Sequence, residues 1–344
     1  VGNGKDNKIR ELNKTALVTG GAGFIGSYIL PALQETGYST RSIDLLPPSP
    51  LCISAQTEYI ENDITNYTAM LKAVKGTDLV VHLAAKHRFF GISEEDFRKT
   101  NVTGTEVLLR AMTEHKVNKL IFYSSVAVYG DQSRPTDENT PPAPSAIYGA
   151  TKLEGEELIQ KWVSESSARR AIIIRPTVVF GPRNKGNMFR LIRQVDKRLF
   201  VPVGGGENIK SVAYVDNLID ATIFLLKKIS SGVSIYNYAD EPHLTFRSIV
   251  KQVYTGLGFR PPRYCIPSKP ILVVLKPVDY IAGIIGISFP ISAAIAKMNK
   301  MTHHTAAKVR HEGFVQSLSI DEGIERMAKW YLTEKNAYKK EQMK

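Results

Sequence analysis

Residues 15–26 read TALVTGGAGFIG, and a stretch with helical spacing runs on from there to Gly37. Thr15–Thr19 is a short apolar run of strand type, and the glycines follow it at once, where the chain must turn and re-enter as a helix. In that setting each glycine has a mechanical task. Gly20 permits the tight turn, Gly23 lets the backbone approach a pyrophosphate, and Gly26 lets helix and strand pack closely, with Phe24 and Ile25 in the same loop. The helix N-terminus then turns its free N–H groups and positive dipole end toward the phosphates. The spacing is G-x-x-G-x-x-G, so it fits the usual G-x-G-x-x-G fingerprint only loosely.

Working outward, Thr40–Asp44 reads as the next strand and closes on an acid 24 residues after Gly20. A carboxylate there accepts both ribose hydroxyls of NAD and repels a 2′-phosphate, which favours NAD over NADP. Arg41 alternates away from Asp44 along the strand and is expected to face solvent. Asp63 and Ile64, after the third strand, are expected to bracket the adenine; taken alone, Asp63 reads as a helix cap. Glu58–Ile60, Leu79–Leu83, Leu120–Ser124 and Ala171–Ile174 are further strands, separated by helical stretches such as Val102–Glu114 and Ala150–Ser164.

Strands alternating with helices give an α/β fold: a Rossmann-type doubly wound parallel sheet with a smaller, mixed C-terminal substrate lobe. The expected boundaries are a disordered N-terminus over 1–13 and an NAD-binding domain over 14–175, with segments returning to the sheet at about 212–240. The substrate lobe takes 176–211 and 241–332, and 333–344 is a basic tail.

Composition narrows the class. The chain has 344 residues, 43% hydrophobic and 23% charged, which is ordinary globular composition and excludes a largely disordered chain. Two cysteines make neither a disulfide framework nor a structural zinc cluster, and a cytoplasmic setting is the economical reading. The net charge of +12 calls for an anionic partner. Half of that excess lies between Arg260 and Gly313, the window that also holds the apolar runs Ile271–Leu275 and Tyr280–Ile291. Lys276, Pro277 and Asp279 interrupt them, so neither run reaches the ~18 residues of a transmembrane helix. No interleaving of aromatic and basic residues or DNA-binding motif supports nucleic acid as the partner.

Tyr148-Gly149-Ala150-Thr151-Lys152 places a phenol and an ammonium four residues apart, on one helix face. Tyrosine is a poor base at its unperturbed pKa of about 10. A neighbouring Lys⁺ and a positively charged nicotinamide both favour the phenolate, which makes a base able to work near neutral pH. Ser125, at the end of a strand on the same sheet edge, can hydrogen-bond the reacting sugar oxygen and orient it.

In order along the chain, Thr19–Gly26, His82-Leu83-Ala84-Ala85, Asn101, Ser124-Ser125, the Tyr148/Lys152 pair and Arg175-Pro176-Thr177 resemble the extended short-chain dehydrogenase/reductase superfamily of nucleotide-sugar enzymes, the NAD-dependent epimerase/dehydratase family. The resemblance covers residues 14–332. It implies that Leu83, Ala84, Ala85, Asn101 and Ser124 line the cofactor and that Pro176 and Thr177 lie by the nicotinamide.

Members of that family share hydride removal from the sugar and differ in the step after it. Dehydratases and decarboxylases carry acids just after the catalytic Ser/Thr; here those positions are Val126 and Ala127, neither able to shuttle a proton. The reactions left are 4-epimerisation and reduction of a 4-keto sugar, and Asp44 tips the balance to the epimerase. A non-catalytic NAD-binding scaffold is the third reading, disfavoured because Tyr148 and Lys152 are both present. The runs His82–Arg88, Ser124–Gly130, Arg175–Asn187, Lys210–Val215 and Tyr236–Tyr238 further resemble a bacterial surface-polysaccharide subgroup. That subgroup, which serves lipopolysaccharide and O-antigen synthesis, includes a 4-epimerase of undecaprenyl-diphosphate-linked N-acetylglucosamine. The implied substrate is a hexose or N-acetylhexosamine on a diphosphate, carried by a polyprenol or by UDP.

For that substrate the expected contacts are Lys86, Arg88, Ser125, Val126, Asn187, Lys210 and Lys297. Two readings of the basic, apolar window stand side by side. Residues 269–300 rest peripherally on an anionic membrane, at the inner face of the cytoplasmic membrane, or they form lobe core or a dimer helix. A homodimer is expected. His303-His304 carries no accompanying carboxylate cluster, and no metal is expected.

Overall fold

The computed structural model describes residues 14–48, 56–87, 92–263, 265–267, 271, 295 and 298–342, with side chains as far as 335. The N-terminal segment 1–13, Arg88, Lys297 and the apolar runs of 272–291 lie outside the described residues.

Seven parallel strands form the main sheet. They are β1 (Lys14–Thr19), β2 (Tyr38–Asp44), β3 (Thr57–Glu61), β4 (Leu79–His82), β5 (Lys119–Tyr123), β6 (Arg170–Pro176) and β10 (Gly232–Tyr238). Their order is β10-β6-β5-β4-β1-β2-β3. β1 sits between β2 and β4, pairing Thr19 with Ile43 on one side and with His82 on the other. The chain therefore winds outward in one direction through β2 and β3 and then jumps back to β4. That jump leaves a crevice at the C-terminal ends of β1 and β4, the position where open α/β sheets take their ligands.

Period-two alternation builds two cores from these strands. Ala16, Val18, Leu79, Val81, Ile121, Ile172 and Ile174 point to one face, where they meet Ile29, Leu30 and Leu33 of α1 (Gly26–Glu35) and Leu218 and Leu225 of α7 (Val215–Lys227). Leu17, Val80, Leu120, Phe122, Ala171 and Ile173 point to the other. There they meet Met70 of α2 (Tyr67–Val74), Leu108 and Met112 of α4 (Gly104–Glu114), and Ile159 and Trp162 of α5 (Ile147–Ser164). Strands buried on both faces read as the near-continuous apolar runs seen in the sequence.

A short helix, α3 (Glu94–Arg98), capped by the Ser93 side chain, runs into a π turn at Lys99–Thr103 and then into α4. A third core belongs to the smaller lobe. Phe180 of β7 (Val178–Phe180) joins Met188, Ile192 and Val195 of α6 (Asn187–Asp196), Val212 and Tyr214 of β9 (Val212–Tyr214), and Ile249 and Val253 of α8 (Phe246–Gly256). The lobe also holds β8 (Ile209–Lys210), paired antiparallel with β11 (Leu244–Thr245), and α9 (Ala307–His311). Ile324 and Met327 of α10 (Ile320–Gln342) close this core.

Three sequence readings change. Of the region expected to return to the sheet at about 212–240, only Gly232–Tyr238 does so, as edge strand β10; Val212–Tyr214 pairs with β7 in a separate two-stranded sheet, and α7 follows directly. The segment from 333 continues α10 as helix through Gln342, and Lys335 reaches the Asp196 carboxylate at 2.6 Å. Arg41 is not a solvent-facing charge. Its guanidinium donates to the Ala73 and Lys75 carbonyls at the end of α2 and to Glu58 at 2.6 Å, satisfying helix-end carbonyls that would otherwise lack donors.

Candidate active site

The crevice is floored by the glycine turn. Gly20 has φ +73°, in the region that glycine adopts without strain, and its amide donates to the Ile43 carbonyl at 2.8 Å. A Cβ on Gly26 would lie 2.5 Å from the Gly21 carbonyl oxygen, so only glycine lets α1 start this close to the turn. Gly23 is exposed, and Phe24 and Ile25 are half-buried beside it. No side chain caps the N-terminus of α1, whose first turn opens on the crevice with its dipole positive.

Asp44 closes β2 at the edge of this turn. Its carboxylate accepts the Ala22 amide at 3.1 Å and the Leu46 amide at 3.3 Å. Burial raises its pKa, with the backbone amides pulling the other way, and no ion pair to it exists among the described residues. A half-buried acceptor of this kind suits a pair of neutral hydroxyl donors. Asp63 spends one oxygen on the Thr65 amide and hydroxyl, both at 2.9 Å, while the cap of α2 is Asn66. The Ile64 side chain is buried against Gly104, which leaves its backbone to offer to a ligand.

Across the crevice, Leu83, Ala84 and Ala85 leave β4 half-buried, and the Ala84 amide donates to Thr19 Oγ1 at 3.3 Å. Asn101, buried in the π turn, holds the next residue from both sides: its Oδ1 accepts the Lys86 amide at 2.8 Å and its Nδ2 donates to the Lys86 carbonyl at 3.1 Å. The same Nδ2 donates to Thr151 of α5 at 3.0 Å. Thr177, just past Pro176, is buried with its hydroxyl unpartnered, an orphan polar atom of the kind a bound group satisfies. The residues present thus fit a dinucleotide: an open anion-binding helix end, a diol acceptor, and an orphan hydroxyl on the far side.

The Ser125 side chain comes near enough to the Tyr148 phenol to favour its ionised form. Two local features bring them together. Ser125 leaves β5 extended and its Oγ accepts the Ala127 amide at 3.1 Å, starting a 3₁₀ turn over Val126–Tyr129. Gly149 then allows α5 to lie against that turn, since a Cβ there would sit 2.3 Å from the Ala127 carbonyl oxygen. Burial raises the Tyr148 pKa and the Ser125 side chain lowers it. Lys152 is buried on the same helix face, its ammonium 4.4 Å from the centroid of the Phe122 ring. Burial brings its pKa down to about 7, against the pull of Glu156. Burial thus works against the lysine's charge and Glu156 sustains it, a balance the sequence does not display.

The other expected contacts have partners or exposures of their own. The buried Ser124 hydroxyl donates to Glu156. Lys86 is half-buried. Asn187 is exposed at the start of α6. The Lys210 ammonium donates to the Lys300 carbonyl, and Lys300 pairs with Asp131. His304 is used internally, Nδ1 to Thr136 Oγ1 at 2.6 Å with its ring on Tyr129, and the His303 ring meets His243 edge-on at 4.7 Å. Glu156 is absent from the sequence reading, although its place four residues beyond Lys152 and eight beyond Tyr148 puts it on their helix face.

Comparison with known proteins agrees with this geometry. The profile of the NAD dependent epimerase/dehydratase family matches residues 16–239. An N-acetyl-α-D-glucosaminyl-diphospho-ditrans,octacis-undecaprenol 4-epimerase from Escherichia coli O157:H7 is 33% identical over 317 residues, 92% of this chain and 94% of that protein. A 3β-hydroxysteroid-dehydrogenase/decarboxylase from Arabidopsis thaliana is 27% identical, covering 93% of this chain and 80% of that one. Among solved structures, a UDP-glucuronic acid 4-epimerase from Bacillus cereus, in complex with UDP-glucuronic acid and NAD, superposes with a TM-score of 0.74 at 26% identity over 93% of this chain and 99% of that one.

Proposed function

The chain belongs to the NAD dependent epimerase/dehydratase family, and from that premise we propose that it is an NAD-dependent 4-epimerase of a hexose or N-acetylhexosamine carried on a diphosphate, with polyprenyl-diphospho-N-acetylglucosamine and its galacto epimer as the substrate pair. The observation that carries the reading is the meeting of the Tyr148 and Ser125 side chains at the mouth of the crevice, with Lys152 buried on the same helix face. The relative with the higher identity, matched over nearly all of both chains, is a 4-epimerase on a polyprenyl carrier; this supports the lipid carrier over UDP and the epimerase over a 4-keto-sugar reductase.

Bound NAD supplies the chemistry of taking a hydride from C4 and returning it. Gly20, Gly23 and Gly26 with the start of α1 hold its pyrophosphate, Asp44 its ribose, Asp63 and the Ile64 backbone its adenine, and Thr177 its nicotinamide end. Tyr148 accepts the proton of the C4 hydroxyl on its phenolic oxygen and gives it back after the sugar has turned over. Ser125 holds that sugar oxygen against Tyr148 during both transfers. The Lys152 charge favours the phenolate form of Tyr148. Val126 and Ala127 offer no proton carrier, so the 4-keto sugar is neither dehydrated nor decarboxylated.

The same reading puts the enzyme peripherally on the inner leaflet, as a homodimer in surface-polysaccharide synthesis. No helix among the described residues is long and apolar enough to cross a membrane. Support comes from one face of the smaller lobe, where Leu199 (69% exposed), Val201 (52%) and Ile266 (45%) stand out of the surface. The Ile266 amide donates to the Pro202 carbonyl at 2.9 Å, which joins the two segments. Lys197 and Arg198 lie just before Leu199 in the chain and Arg260 and Arg263 just before Ile266, all exposed, and Arg198 stacks on Phe259 at 3.6 Å. Apolar side chains flanked by cations suit an anionic interface.

The test is to offer the purified protein polyprenyl-diphospho-N-acetylglucosamine and, separately, UDP-N-acetylglucosamine, and to look for the C4-inverted sugar. Inversion of the lipid-linked sugar without added NAD is expected, because an epimerase keeps its cofactor. Turnover that consumes reduced cofactor stoichiometrically would make it a reductase.

A further inference from the structure

Behind the Tyr148–Lys152 face lies a buried ion pair that the chemistry above does not use. Glu156 is 0% exposed and Arg175 is 3% exposed. Arg175 grips the carboxylate with two parallel bonds, Nε to Oε1 at 2.9 Å and Nη2 to Oε2 at 2.5 Å. The Ser124 hydroxyl donates to the same Oε1. The third guanidinium nitrogen, Nη1, donates to the Tyr129 hydroxyl at 2.8 Å, and that hydroxyl donates onward to Asn237 Oδ1 at 2.8 Å. Burying two charges is costly, and well-packed apolar residues serve stability as well or better. Every atom of this pair with hydrogen-bonding capacity is nonetheless engaged by the segments that build the site. These are α5, the end of β5 that carries Ser124 and Ser125, the 3₁₀ turn, and the end of β6 that leads into Thr177.

We infer that Glu156, locked in the fork of Arg175, is a positioning residue for the reaction: its carboxylate sets the charge on the Lys152 ammonium one helical turn away and fixes the angle at which α5 presents Tyr148 to Ser125. The inference rests on the proposed roles of Tyr148 and Lys152. Among the described residues, the groups recorded as acting on Lys152 or acted on by it are these. Glu156, on its own helix, opposes the effect of burial. His82 of β4 is held neutral, burial and Lys152 together pushing its pKa down to about 3. The Phe122 ring of β5 supplies only its face. The Glu156 carboxylate is the counter-charge that keeps a proton on a lysine otherwise shut away from water. Arg175 is the paired cation of that carboxylate; burial disfavours the guanidinium charge and its bonds to Glu156 outweigh that.

The experiment tracks the titration of Lys152 directly in the NAD-loaded protein labelled with ¹³Cε-lysine, the resonance being assigned by its loss in Lys152→Arg. The pH profile of kcat is measured in parallel. Glu156→Gln is expected to lower the Lys152 midpoint by about one pH unit or more, the usual effect of losing a nearby opposite charge. The basic limb of kcat moves with it, so that the ratio of wild-type to variant kcat grows several-fold from pH 6 to pH 8. Glu156→Asp, which keeps the charge, restores most of the midpoint. Should Glu156→Gln fail to fold, Glu156→Gln/Arg175→Met removes both charges, a change that cores often tolerate, and the same downward shift is expected. An unmoved Lys152 midpoint in either variant, or a kcat lowered by one constant factor at every pH, overturns the inference. Failure of the reading beneath it is distinguished by Tyr148→Phe, which would then keep full activity whatever Lys152 does.

Discussion

Thr19 Oγ1 and His82 Nδ1 lie 2.6 Å apart, joining the two strands whose ends form the crevice. The other ring nitrogen, Nε2, meets Thr105 Oγ1 at 3.0 Å, so the imidazole pins β1, β4 and α4 together beneath the cofactor turn. A fully buried ring bonded by two hydroxyls is stable only when neutral. Burial, with Lys152 adding to it, pushes the His82 pKa down to about 3; burial, with His303 and His243, pushes that of His304 down to about 4.

Both histidines take up a proton more readily in the unfolded chain, near pH 6.5, than in the folded one. Their contribution to stability is therefore fully present above pH 6.5 and is lost as the pH falls from there toward about 4 for His304 and about 3 for His82. The slope is about 1.4 kcal/mol per histidine per pH unit once below 6.5. Urea unfolding at pH 7.5 and pH 5.5 should show a clearly lower midpoint at the acid value, and His82→Gln should about halve the difference, leaving the share of His304. Equal midpoints in the unsubstituted protein would refute the assignment.

Asp44→Ala removes the acceptor at the edge of the glycine turn and the charge that repels a 2′-phosphate. Losing hydrogen bonds to a charged acceptor typically costs about 1.5–3 kcal/mol, or roughly 10- to 150-fold in affinity. NAD binding, monitored by fluorescence titration, is expected to weaken by that factor while NADP binding changes little. If the two affinities fall in the same proportion, Asp44 does not read the ribose.

Tyr148→Phe deletes the proton acceptor and leaves the crevice intact. A drop in kcat of about 10²–10⁴ is expected, with NAD retained through purification. Epimerisation at near-normal rate in that variant would take the proton-transfer role away from Tyr148.

Features legible in the sequence and features hidden in it divide by range. The glycine turn, Asp44 and the Tyr148/Lys152 spacing are local, each written within a few residues or one helix face, and the structure places them around one crevice. Arg41 departs from its solvent-facing expectation because alternation states only which side of a strand a residue takes; that side is covered by the end of α2 rather than by water. The Ser124–Glu156 bond is hidden because the two residues sit 32 positions apart and meet only where α5 crosses the end of β5. Val212–Tyr214 is strand in isolation, but its register with β7 depends on the smaller lobe, whose order no local pattern encodes.

Leu199→Asp/Val201→Asp tests the proposed membrane face without touching the crevice. On vesicles containing phosphatidylglycerol, the unsubstituted protein should co-sediment at low salt and dissociate as salt is raised, since each basic residue contributes about 1 kcal/mol that is screened. The double variant should bind at least tenfold more weakly, yet turn over a short-chain soluble analogue at the normal rate. Equal binding by both proteins would move the contact elsewhere on the surface.

Gly149→Ala makes the most demanding test of the site, because it adds one methyl group and removes no functional atom. The new Cβ would lie 2.3 Å from the Ala127 carbonyl oxygen and 3.1 Å from Pro144 Cβ. The nearer contact is backbone on one side and helix on the other, so neither can swing aside as a flexible side chain would; α5 must slide or tilt away from the 3₁₀ turn. Tyr148 is the adjacent residue and moves with it, while Ser125 stays on β5. Misplacing reacting groups by about 1 Å can cost about 10²-fold in rate. A kcat lowered by roughly that factor, with NAD affinity close to normal because the glycine turn and Asp44 lie on other elements, is the expected outcome. Steady-state kinetics with a cofactor titration on the same preparation separates the two quantities. A kcat within twofold of normal would show that the Tyr148–Ser125 contact does not depend on the close seat of α5 against Ala127.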